Sequence, residues 1–309
     1  MSAKPHNHSV GNRSVHNHTA IPARPDLIRL IIGIFGVGSS GPLIALSAMP
    51  VPTLIFWRNL GGSLITLPFA IRHKVDRIGA QWAIIAGFLL SLHFMGFFLA
   101  MRMTSVAAGT AIAALQPIFA ALFLRFRGGF IPSKAWLGML ISFTGVLVVT
   151  GIDIQLDRRS FLGDLAALVS GALAAGYMLI GSHAQKTLQT TTYTSICYLT
   201  CALTALPVTL IAGYELFSFS SKEWIILLGL IIGAQLLGHT MFNLTLKRVS
   251  PAVVSLIVFF EVPIAAFLAS IFGVGKQPPA SIYLGVLLIL VGCIVFVTRT
   301  KTENVMTVE

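Results

Sequence analysis

The chain has 309 residues, of which 56% are apolar and only 10% are charged. A soluble domain carries about 25% charged residues, so a soluble enzyme or binding module is excluded. The net charge of +11 does not point to nucleic acid either, because the basic residues lie between apolar runs, where they orient membrane spans.

Met1 to Asp26 is polar, holds Pro5, Pro22 and Pro25, and has no apolar core. It reads as a disordered cytoplasmic tail (1–26), not as a signal peptide. Its His6-Asn7-His8 and His16-Asn17-His18 pairs offer a second reading, a soft divalent metal site. Apolar runs long enough to span a bilayer follow at Leu30–Ala48, Thr53–Ile71, Trp82–Met101, Val106–Leu124 and Ala135–Ile152. A polar loop with Asp153, Asp157, Arg158 and Arg159 comes next. Further runs lie at Leu165–Gly181, Ser195–Gly213, Trp224–Leu246, Ser250–Phe272 and Ile282–Val297, before a short cytoplasmic tail (299–309). The predicted fold is all-α, a polytopic membrane protein with ten transmembrane helices. Cys197, Cys201 and Cys293 fall inside apolar runs and read as reduced core thiols, with no redox or metal role.

With the N-terminus inside, fifteen lysines and arginines fall on the cytoplasmic side and five on the outer side, Arg58 lying within a span. That bias places both termini in the cytoplasm. The halves echo each other. Met101-Arg102 and Ser105 recur as Leu246-Lys247 and Ser250, and Gln116-Pro117 recurs loosely as Glu261-Val262-Pro263. Pro132, Leu137, Gly138 and Gly145 recur as Pro279, Leu284, Gly285 and Gly292, and Leu67-Pro68 as Leu206-Pro207. Two five-helix units, 27–152 and 163–298, are expected. An odd number of spans makes the second unit enter from the opposite side, the inverted repeat many secondary transporters use for alternating access.

The ordered stretches PVPTLIFWRN, AMRMTSVAAGTAIAALQPIFAALF, GDLAALVSGALAAGYML and LKRVSPAVVSLIVFFEVPIAAFLA resemble the EamA-type branch of the drug/metabolite transporter superfamily, from about Leu30 to Val297. The resemblance implies a secondary carrier of small metabolites, often amino acids, in the plasma membrane, here expected to be a bacterial inner membrane. Family members often place Glu directly before Pro in the fourth and ninth spans. This chain has Gln116 in the fourth, and in the ninth Val262 separates Glu261 from Pro263.

Glu261 and Arg58 are the formal charges well inside the apolar runs. A mid-depth carboxylate costs about 2.5–3.5 kcal/mol on insertion scales, so it needs a partner or a task. Glu261 reads either as a structural hydrogen-bonded carboxyl or as a site that binds a proton or a substrate amine, but not both. Arg58 either snorkels to the outer surface or faces a cavity, where it would hold a substrate carboxylate. Gln235, His239 and Asn243 are four residues apart and are expected on one face of an α-helix, to bind substrate or to join helices. His93 sits at nearly the equivalent position in the other half. Gln116-Pro117, Pro263 and the break at Ser39, Ser40, Gly41 and Pro42 are expected to open the backbone toward a cavity.

No Walker loop, nucleophile elbow or metal-ligand spacing occurs in a suitable context, so neither an enzyme nor a cofactor is expected. The sequence points to a proton-coupled carrier that exports amino acids or amines by alternating access, as a monomer or homodimer among membrane lipids. The alternative is a non-transport membrane protein, a lipid-carrier scramblase or an interaction subunit.

Overall fold

The computed structural model describes residues 22–126, 128, 130–150, 157–277 and 280–306. The histidine pairs of the N-terminal tail, Arg127, Asp153 and Pro279 lie outside the described residues. No strand occurs among those described. The helices are α1 (Arg24–Gly38), α2 (Ser40–Leu46), α3 (Val51–Ala70), α4 (Arg77–Met103), α5 (Val106–Ala113), α6 (Gln116–Phe126) and α7 (Ser133–Thr150). They continue as α8 (Arg158–Ala184), α9 (Thr190–Ile211), α10 (Ser221–Gly229), a π-helical stretch (Leu230–Thr240) and α11 (Met241–Thr245). The chain then forms α12 (Pro251–Ile257), a 3-10 turn (Val258–Phe260), α13 (Glu261–Ile271) and α14 (Ile282–Met306).

Caps set the helix starts, and they lengthen two spans beyond the apolar runs. Asp76 accepts from the Gly79 N–H at 2.7 Å, so α4 begins at Arg77 rather than at Trp82. Asp157 accepts from the Arg159 and Ser160 N–H groups, so α8 begins at Arg158 rather than at Leu165. Ser105 and Ser250, matched between the halves, have one task. Each hydroxyl caps the helix that leads to Gln116 or to Glu261, accepting from Ala108 and Val253. Gly213 and Gly273 end α9 and α13 at φ of 67° and 70°. There the Tyr214 and Val274 N–H groups reach back to the Thr209 and Ala269 carbonyls.

Seven segments of 21 to 27 residues are long and apolar enough to cross a bilayer: 24–46, 77–103, 106–126, 158–184, 190–211, 221–245 and 251–271. Ser133–Val149 and Ile282–Thr298 are shorter apolar helices, and α3 carries Arg58 and Asn59. Large apolar side chains such as Phe35, Phe69, Phe161 and Leu203 face outward, as a lipid-bathed bundle requires. The three cysteines are buried and free.

The helices pack α3 on α9, α4 on α8 and α9, α1 on the π stretch, and α7 on α14. The α7–α14 contact is backbone to backbone. A Cβ on Gly138 would lie 2.6 Å from the Gly292 carbonyl oxygen, and one on Gly145 would lie 2.5 Å from that of Gly285. Only glycine permits that approach. At the lower end of α1, Asp26 is buried, and Arg29 and Arg248 close on it at 2.6 and 3.6 Å.

Candidate functional site

Three helices break at the centre of the bundle. α1 stops at Ser39, whose hydroxyl donates to the Gly36 carbonyl at 2.7 Å. α5 stops just before Gln116-Pro117. Pro117 has no N–H to offer the Ala113 carbonyl, and that oxygen is 2.8 Å from where a Cβ on Gly171 of α8 would stand. The ninth predicted span passes through the 3-10 turn just ahead of Glu261. In the eighth, the π stretch replaces the α-helix that the residue spacing predicts. In this stretch Gln235 meets Arg58 and Asn59 of α3 and His239 packs on Phe94 of α4, while Asn243, in α11, donates to Tyr177 of α8.

These breaks surround a small cavity of about 40 Å³. Its polar and aromatic lining includes Ser40, His93, Phe94, Gln116, Tyr177, His239 and Glu261. The lining comes from α1–α2, α4 and α5–α6 in the first half, and from α8, the π stretch with α11, and the 3-10 turn with α13 in the second. The volume holds roughly two to four waters. It is far below the about 300–1,000 Å³ of a ligand pocket, so helices must part before a metabolite enters.

Arg58 lies behind this lining and is fully buried, so it does not snorkel. Its Nε–H donates to Gln235 Oε1 at 2.8 Å, and Nη1 donates to the Ser40 hydroxyl at 3.3 Å. Gln235 Nε2 donates to Asn59 Oδ1 at 2.8 Å, and Asn59 Nδ2 donates to the Ile55 carbonyl. The guanidinium carbon stands 4.2 Å from the centre of the Phe94 ring, a cation–π distance. Nη2 is buried without a hydrogen-bond partner. Among the described residues Arg58 and Glu261 form no ion pair.

His239 sits edge-on to Phe94, with ring centres 5.1 Å apart, and 6.4 Å from the His93 ring. Its Nδ1 is buried without a partner, whereas His93 Nδ1 meets the Ser170 hydroxyl at 2.8 Å. Gln116 Nε2 donates to Met178 Sδ at 3.1 Å and to the Ser255 hydroxyl at 3.3 Å. Asn243 Nδ2 donates to the Tyr177 hydroxyl at 2.7 Å.

Of the residues singled out in the sequence, Glu261, Gln116, His239, His93 and Ser40 line the cavity. Arg58 and Asn243 reach it through Ser40 and Tyr177, and Gln235 through Arg58. Ser39, Gly41 and Pro117 sit at the breaks but outside the lining. Pro263 faces an apolar crevice of about 570 Å³ between α1, α13 and α14. Tyr177 and Phe94 were not singled out. The mostly small residues from Ser170 to Gly176, interrupted by Leu173, are the signal for Tyr177, since a large ring after them projects into the space they leave.

Past the end of α2, the chain is tied to the second half. Glu223 Oε2 accepts from the Ser47 hydroxyl at 2.6 Å and from the Ala48 and Met49 N–H groups. Arg102 donates to the Ser47 and Met49 carbonyls. The Trp57 indole N–H donates to the Leu216 carbonyl at 2.7 Å.

A family model described as the EamA-like transporter family matches the chain twice, over residues 27–151 and 161–298. An uncharacterized transporter of Bacillus subtilis, YwfM, is 26% identical over 295 residues, which cover 89% of this chain and 94% of that protein. The pseudopaline exporter CntI of Pseudomonas aeruginosa is 23% identical over 262 residues, which cover 83% of this chain and 89% of that protein. A solved crystal structure superposes with a TM-score of 0.69 at 18% identity, covering 88% of this chain and 96% of that one, and it shares the fold.

Proposed function

Because the chain belongs to the EamA-like transporter family, we propose that it is a ten-span secondary carrier of small metabolites, amino acids or amines, built from two inverted five-helix repeats. The observation that carries this reading is the cavity, where groups from the corresponding helices of each half meet around Glu261 and the Arg58 network. The double family match supports two repeats. So does the α7–α14 contact, where Gly138 meets Gly292 and Gly145 meets Gly285, the exchange a two-fold axis between matched helices produces.

Arg58 keeps one buried N–H free, suited to a substrate carboxylate. Glu261 takes either the substrate ammonium or a proton. That exclusivity couples the two flows, since the carrier returns protonated only after the amine has left. One proton crossing 100 mV releases about 2.3 kcal/mol, which supports a substrate ratio of roughly fifty-fold. The relative named as an exporter favours outward movement. The charge bias favours both termini in the cytoplasm and a plasma-membrane setting.

The test is uptake into proteoliposomes under an imposed pH gradient, with a panel of amino acids and amines. Glu261→Gln should bind substrate weakly and lose gradient dependence. Wild-type pH dependence in that variant would sink the coupling role. A lipid-handling reading has one observation in its favour, the apolar crevice beside Pro263. Lipid flip-flop without metabolite transport in the same vesicles would select it.

A further inference from the structure

A second pocket, of about 270 Å³, opens between the α8–α9 loop and the end of α11. It shares no residue with the central cavity. Ser182, Gln185, Lys186, Thr187, Gln189 and Lys247 supply its polar lining, and no carboxylate lines it. Gln185 is 94% buried; its Oε1 accepts from the Thr190 hydroxyl at 2.7 Å, and its Nε2 has no partner. Lys247 Nζ donates to Gln189 Oε1 at 2.8 Å, a neutral partner that leaves its charge uncompensated. Among the described residues neither lysine is ion-paired. Gln189 is also the N-cap residue of the 22-residue α9, and its side chain makes no capping bond, so the first-turn amides of that helix stay uncapped beside the pocket. Asp76 stays outside the lining, its carboxylate taken up by the Gly79 N–H and the Thr187 hydroxyl.

A desolvated N–H donor, two uncompensated cations and an uncapped helix start all favour one ligand charge. We propose that this pocket binds a phosphate group. Both lysines lie two residues beyond the ends of membrane-crossing segments 158–184 and 221–245, the depth of lipid headgroups. The charge bias puts that end on the cytoplasmic side, where anionic headgroups attract basic residues. The same chemistry admits a phospholipid headgroup or free phosphate. The site is independent of what the central cavity carries.

The experiment uses the full chain in detergent. Native mass spectrometry measures retention of phosphatidylglycerol against diacylglycerol, its phosphate-free analogue. Thermal unfolding in inorganic phosphate, against chloride at equal ionic strength, measures the free anion. Gln185→Glu keeps the shape and replaces the free N–H with a repelling oxygen. Lys186→Gln with Lys247→Gln removes the charge from accessible positions and serves if Gln185→Glu fails to fold. We expect phosphatidylglycerol to be held at least ten-fold better than diacylglycerol, and each variant to lose that preference. A phosphate-specific thermal shift without lipid preference, lost in the same variants, assigns the pocket to a soluble phosphate. Variants that match wild type in both assays, or a wild type that prefers neither ligand, overturn the proposal.

Discussion

Arg58 and Gln235 meet across the two halves of the chain, Nε–H to Oε1 at 2.8 Å, with no water-exposed surface on either side chain. A hydrogen bond to a charged group is worth about 1.5–3 kcal/mol, and removing one partner strands the other. Gln235→Leu should therefore lower stability by roughly 3 kcal/mol, since Asn59 Oδ1 also loses its donor. Gln235→Glu gives the guanidinium a counter-charge and should unfold later than the leucine variant. Melting of the purified protein in detergent decides. Equal melting of Gln235→Leu and wild type would show that the bond carries no net stability.

The α7–α14 seam offers a second test. A methyl on Gly145 would stand 2.5 Å from the Gly285 carbonyl oxygen, with the Ile289 N–H at 2.8 Å, so backbone rather than a flexible side chain must give way. Gly145→Ala should cost about 1–3 kcal/mol as an overpacking change. Gly229→Ala meets only the tip of Leu43 at 3.4 Å and should be close to neutral. Parallel thermal melts of the two variants make the comparison.

Asp157 gives a pH dependence. The Ser160 hydroxyl, then the Ser160 N–H, hold its carboxyl below the usual range. A carboxyl whose folded value is depressed stabilises the fold fully above its unfolded value, near 3.9, and loses that contribution as pH falls through the folded value. Amide exchange at 158–162 should accelerate as pH drops below about 4, beyond the intrinsic trend. Asp157→Asn should flatten that acid dependence. Identical exchange profiles in the two proteins would contradict the cap's role.

The class and the helical runs were legible because apolar length is a one-dimensional property. Glu261 and Gln116 stood out for a related reason: a polar group inside an apolar run must find the interior. Partners were not legible. Gln235 lies 177 residues from Arg58, and nothing in the spacing joins them. The π stretch was also hidden, because an apolar run has no marker for i→i+5 bonding. Nor could spacing say which helices Gln235, His239 and Asn243 would meet, here α3, α4 and α8. Helix starts at Asp76 and Asp157 were missed because apolar runs were read without their caps.

Glu223 and Arg102 hold the loop from Ser47 to Met49 from opposite chemical sides. The acid accepts from its hydroxyl and N–H groups, and the base donates to its carbonyls. On the proposed orientation this end faces outside, and the proposed alternating access would open it in another state, where these bonds break. The clamp then stabilises the closed state alone, and weakening it shifts the population. Glu223→Ala removes the acceptor of the Ser47 hydroxyl and the Ala48 N–H, while the Met49 N–H keeps Ser47 Oγ, and should raise the closed state by about 2 kcal/mol. Each 1.4 kcal/mol is ten-fold, so the open fraction should rise roughly twenty-five-fold from a small starting value. Ser40→Cys, facing the cavity, reports it in a background where Cys197, Cys201 and Cys293 are replaced. A membrane-impermeant maleimide added from the side that labels Lys222→Cys should modify Ser40→Cys at least ten times faster when Glu223 is alanine. If the rate is unchanged, the loop is structural and the opening lies elsewhere.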